Sequence, residues 1–137
     1  MSTIIKFFVA ADDTIAAGVM QAGPGPDLAP VTYGNFDVWS ALEEWESFLL
    51  RRDLAEIVAD GGPIEVDEDD DIVVLRVPPA FTRALADADE VTLDDTAGRW
   101  NAKGEIDREL AREIVGAVAT LAATAVRTEG SLYCWVC

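Results

Sequence analysis

The densest chemistry in this chain is a run of carboxylates from Glu65 to Asp71, six acids in seven positions. A hard cation such as calcium needs that many oxygen ligands, provided a loop shapes them. The EF-hand spacing is the sharp comparison. Asp67, Asp69 and Asp71 fall on its first three ligand positions, but Ile72 stands where the glycine belongs and Pro78 where the closing glutamate belongs. The match fails, and the run reads as a solvated loop between two strands. Cys134 and Cys137 form a C-x-x-C. If extended, the segment sends them to opposite faces about 10 Å apart, beyond disulfide reach. A zinc site needs two more ligands, and the chain has no histidine and no third cysteine. Read as a prenylation box, the last four residues put Trp135 in an aliphatic position without a basic stretch upstream.

The remaining constellations have plain structural readings. Glu105, Glu109 and Glu113 line one helix face, but a carboxylate-bridged dimetal site also wants histidines. Arg108 and Arg112 interleave with them, which predicts a salt-bridged solvent face. Trp39, Trp45 and Phe48 form a helical aromatic stripe that suits a core. Trp100, between Arg99 and Asn101, has the least periodic support and is the tryptophan expected at the surface. Gly23-Pro24-Gly25-Pro26 lacks the lysine and hydroxyl residue of a phosphate loop. Without histidine, the commonest general base is missing from any nucleophilic triad.

Charge narrows the partners. With 26 acidic against 10 basic residues the formal net charge is −16. Such a surface repels phosphate backbones and anionic lipids and favours cationic partners. Codon bias or salt adaptation produces the same excess with no partner at all. Ile4 to Ala11 is too short for a signal peptide and runs into Asp12 and Asp13. No apolar stretch approaches a membrane span. With two cysteines, the expectation is a soluble, cytoplasmic protein.

These groups need a scaffold, and the pattern predicts a single α+β domain over 1–137. Ile4 to Val9 reads as a buried strand, Asp12 or Asp13 as the cap of a helix through Met20, and Gln21 to Pro30 as a loop. Asp37 caps an amphipathic helix with Val38, Trp39, Leu42, Trp45, Phe48 and Leu49 on its apolar face. Asp53 starts a shorter helix, closed by Gly61-Gly62-Pro63. Ile64 to Val66 reads as a short strand and Ile72 to Val77 as a longer one. Helices follow from Pro79 to Asp87 and from Val91 to Trp100. Asp107 opens the longest helix, with Leu110, Ile114, Val118, Leu121 and Ala125 as its stripe and Gly130 as its C-cap. Ser131 to Cys137 is a terminal strand. The expected architecture is a sheet of three or four strands including both terminal ones, packed with four or five helices.

This order of an N-terminal strand, a tryptophan-bearing helix followed by Phe48-Leu49-Leu50, a proline-initiated helix and a long helix running into an apolar strand is similar to the YfbM-like family of small uncharacterised bacterial proteins. The resemblance spans most of the chain. It implies an α+β fold and no established activity, so no functional residue is carried over from it. The long acidic run and the cysteine ending depart from the family's pattern.

The leading expectation is a non-enzymatic interaction protein, an inhibitor or immunity-like binder for a basic partner. Its contact residues would be Asp67, Glu68, Asp69, Asp70, Asp71, Glu43, Glu44, Glu46 and Trp100. No catalytic residue, metal or cofactor is assigned. Two alternatives stay open: a small carboxylate-based or metal-dependent hydrolase, and an acidic surface that serves only solvation.

Overall fold

The computed structural model describes residues 3–60, 62–104 and 106–137. Gly61 and Glu105, named above at a helix end and on a helix face, lie outside the described residues.

Strands β1 (Ile4–Ala10), β2 (Val31–Gly34), β3 (Ile64–Asp69), β4 (Ile72–Arg76) and β5 (Ser131–Val136) form one antiparallel sheet in the order β2-β1-β5-β4-β3. The terminal strands β1 and β5 lie side by side near its centre, paired from Ile5↔Val136 to Ala10↔Ser131. Their apolar sequences agree with that place, because inner strands can be covered on both faces. Among the described residues there are six α-helices: α1 (Asp13–Ala17), α2 (Val38–Leu50), α3 (Leu54–Asp60), α4 (Pro79–Asp87), α5 (Glu90–Asn101) and α6 (Arg108–Arg127).

The expected sheet of three or four strands with four or five helices is therefore corrected to five strands and six helices. The overlooked strand is β2, only Val-Thr-Tyr-Gly between Pro30 and Asn35. Four residues are too few to display a period, so the register with Ile4 to Phe7, not the local pattern, makes it a strand. β3 is also longer than expected. Asp67, Glu68 and Asp69 belong to the strand, leaving Asp70 and Asp71 as the turn.

Most helices cover one face of the sheet. Ile5 and Phe7 of β1, Val73 and Leu75 of β4, and Leu132, Cys134 and Val136 of β5 meet the buried sides of α2, α4, α5 and α6 there. The stripe of α6 is rotated from the one predicted. Ala111, Ile114, Val115, Val118, Ala119, Ala122 and Ala125 are buried, while Leu110 is exposed and Leu121 half-buried. Alanines on the buried side let α6 lie close against its neighbours. The opposite face carries a second cluster of Phe8, Ala10, Val74, Tyr133 and Trp135 under α1 and the segment after it.

Local chemistry sets the helix starts. The carboxylates of Asp12, Asp37, Asp89 and Asp107 accept the backbone N–H of Ile15, Ser40, Thr92 and Leu110 respectively. Each satisfies a donor the helix itself leaves free. No helix among the described residues is long and apolar enough to cross a membrane.

Candidate functional site

The sheet order leaves β3 as an edge strand with one side of its backbone unpaired. Aspartate and glutamate are poor strand formers. They are tolerated here because β4 supplies the ladder and both faces of β3 stay wet. Glu65, Asp67, Glu68, Asp69, Asp70 and Asp71 are all exposed, and only Val66 is half-buried, packing against the second cluster.

A β-bulge decides how the carboxylates are distributed. Glu65 pairs with Leu75 but Asp67 pairs with Val74, so Val66 is the inserted residue. Glu65 and Glu68 then share the face of Leu75 and Val73, whereas Asp67 and Asp69 share that of Val74 and Ile72. The consequence is electrostatic: the Glu68 carboxylate pushes the pKa of Glu65 above its ordinary value. Asp70 closes the hairpin with a left-handed φ of 52°, which a short polar side chain tolerates better than most. Gln21 donates to the Asp69 carboxylate at 2.7 Å and so ties the segment after α1 to the strand. Among the described residues none of the six acids meets a lysine or arginine; the ion pairs lie elsewhere.

The other predicted contact residues are not gathered with them. Glu46 is 2 % exposed, and its Oε1 accepts the Gly62 N–H at 3.1 Å. It braces the connection that leads into β3 and is withdrawn as a contact residue. Burial pushes its pKa up, partly offset by the Gly62 hydrogen bond. Glu44 is half-buried and paired with Lys103 Nζ at 3.0 Å. Glu43 is half-buried beside Gly62. Trp100 is 3 % exposed, packed edge-on between Phe36 and Trp45, so it too is withdrawn. It is buried because Leu93, Thr96, Ala97 and Trp100 recur at helical spacing on α5. Trp39, at 42 %, is the exposed tryptophan on α2.

The glutamate face of α6 is also organised differently from its prediction. Arg112 pairs with Glu90 and Asp94 of α5, clamping two helices together. Both cysteines are free: Cys137 is exposed, and Cys134 is buried with its thiol pKa pushed up by desolvation. Among the described residues no three histidine, cysteine, aspartate or glutamate side chains form a group that could hold a metal ion.

Sequence reasoning missed a polar cluster on the second sheet face. Asp13 accepts from Tyr133 Oη at 2.7 Å and from Arg76 Nη1 at 2.6 Å. The signal was the doubled Asp12-Asp13, where one residue caps α1 and the other tethers it to the sheet.

No protein-family model, no curated protein and no solved structure matches the chain.

Proposed function

We propose that this protein is a non-enzymatic interaction module, of inhibitor or immunity type, that presents the β3 edge to a basic partner. One observation carries the reading: six exposed carboxylates that form no ion pair among the described residues, on and beside a strand whose outer backbone edge is open. An extended segment can add to such an edge through main-chain hydrogen bonds while its alternate side chains meet those of β3. Lysine or arginine side chains would relieve the repulsion between Glu65 and Glu68. A second copy of this chain would double that repulsion, so the same charges that block self-pairing select a basic strand.

A fluorescent peptide of alternating lysine and valine tests this by anisotropy. Binding to the wild type should weaken by about tenfold or more between low and physiological salt, as expected for exposed charges within a Debye length. The combined substitutions Asp67→Asn, Glu68→Gln and Asp69→Asn should remove most of the affinity and flatten the salt dependence. Equal binding by that variant would refute the proposal.

A further inference from the structure

Away from the acidic edge, α2, α3 and the end of α5 enclose a cavity of about 280 Å³ whose lining includes Glu43, Glu44, Leu54, Val58, Trp100 and Lys103. Leu54 and Val58 are one helical turn apart on α3 and form an aliphatic wall, 36 % and 61 % exposed. The core does not explain that wall, because Ile57 is the buried residue of α3. Trp100 is held from two sides, its ring centroid 5.1 Å from that of Phe36 and 5.0 Å from that of Trp45. The cavity thus has a rigid floor at the nearly buried Trp100 and an exposed aliphatic wall.

Its polar groups are unbalanced. Lys103 is engaged by Glu44 at 3.0 Å. Glu43 has no ion-pair partner among the described residues, and the Glu43 charge further raises the pKa of Glu46. The lining therefore holds two carboxylates and one ammonium, one positive charge short of neutrality. An anionic ligand would add to the repulsion. A neutral apolar ligand would strip water from Glu43 and give nothing back. An aliphatic chain ending in an ammonium satisfies both halves, its stem against Leu54 and Val58 over the buried edge of Trp100 and its charge at Glu43.

We infer that this cavity is a binding site for a small aliphatic ammonium, independent of the reading of the β3 edge. Titration of the full chain with n-hexylammonium, followed by NMR at the Trp100 indole N–H and the Leu54 and Val58 methyls, should give saturable shifts. Hexanol should bind at least about tenfold more weakly, the size of a lost charge-assisted hydrogen bond, and hexanoate should produce no shift. Glu43→Gln should weaken hexylammonium binding by a similar factor. Val58→Arg, at a position 61 % exposed, should abolish binding by placing its own cation in the cavity. Equal affinity for the alcohol, unchanged binding by Glu43→Gln, or shifts confined to β3 would each overturn the assignment.

Discussion

Tyr133, on the central strand β5, donates its hydroxyl to the carboxylate of Asp13 at 2.7 Å, across 120 residues of sequence. The ring is buried and stacked on Phe8 with centroids 5.6 Å apart. The hydroxyl is the polar end of an apolar cluster, and it fixes α1 on the second sheet face. Tyr133→Phe keeps the ring and loses the bond. The predicted cost is about 1 kcal/mol, below the usual value for a charged acceptor because Asp13 is half-exposed. A lower urea midpoint at unchanged slope would show it.

The same pair predicts a pH signature. The Tyr133 hydrogen bond, with Arg76 assisting, lowers the Asp13 pKa against a desolvation that raises it. Its contribution is complete above the ordinary aspartate range and fades as pH falls through the lowered value. Burial, then the Asp13 bond, holds Tyr133 up at about 12 against an ordinary 10.0. The unfolded chain loses that proton first, so the Tyr133 contribution to stability is complete below about pH 10 and declines as pH rises toward 12. Tyr133→Phe should show a shallower alkaline decline, the remainder coming from Cys134 and Tyr33, whose pKa values burial also raises, as urea midpoints across that range would reveal.

Glu46 gives a second test with two substitutions of opposite sign. Its folded pKa is raised, so its charged form is disfavoured in the fold and its effect on stability worsens as pH rises through that value. Glu46→Gln keeps an acceptor for the Gly62 N–H and removes the buried charge. It should raise the thermal midpoint at neutral pH and lose the gain in mild acid. Glu46→Ala leaves the Gly62 N–H without its acceptor and should cost about 1–3 kcal/mol.

The end of α6 gives a third. The N–H of Gly130 bonds to Ala125 O at 2.9 Å and that of Glu129 to Val126 O at 3.3 Å, the Schellman pattern. Glu129 rather than a glycine takes the left-handed position, with φ 58°, and it places negative charge at the helix C-terminus. Glu129→Gly should stabilise by about 1 kcal/mol. Gly130→Ala should destabilise by about 2 kcal/mol, because its Cβ would stand 2.7 Å from the Ala10 carbonyl oxygen. Thermal melts of the two variants should move in opposite directions.

Sequence alone made β1, β4 and β5 legible because they are nearly continuous apolar runs, and the long helices because each buries a periodic apolar face. The N-caps at Asp37 and Asp107 were legible because capping is local chemistry. β2 escaped because its pairing with β1 is information from elsewhere in the chain. The acids of β3 read as a loop because edge position, which lets a polar sequence be a strand, is a property of the sheet. Trp100 was misplaced because Thr96 and Ala97 do not look apolar in a string yet fill the same helical face. Gly130 was placed correctly at the helix end but in the wrong role, which Glu129 performs.

The central claim is that β3 accepts a basic strand along its open edge. Hydrogen exchange with and without the lysine–valine peptide reads it most directly, with polylysine of equal charge as the comparison. The account predicts new protection of β3 amides with the alternating peptide, none at β2, and none in the Asp67→Asn, Glu68→Gln, Asp69→Asn variant. Absence of protection at β3, or equal protection in the neutralised variant, would contradict it.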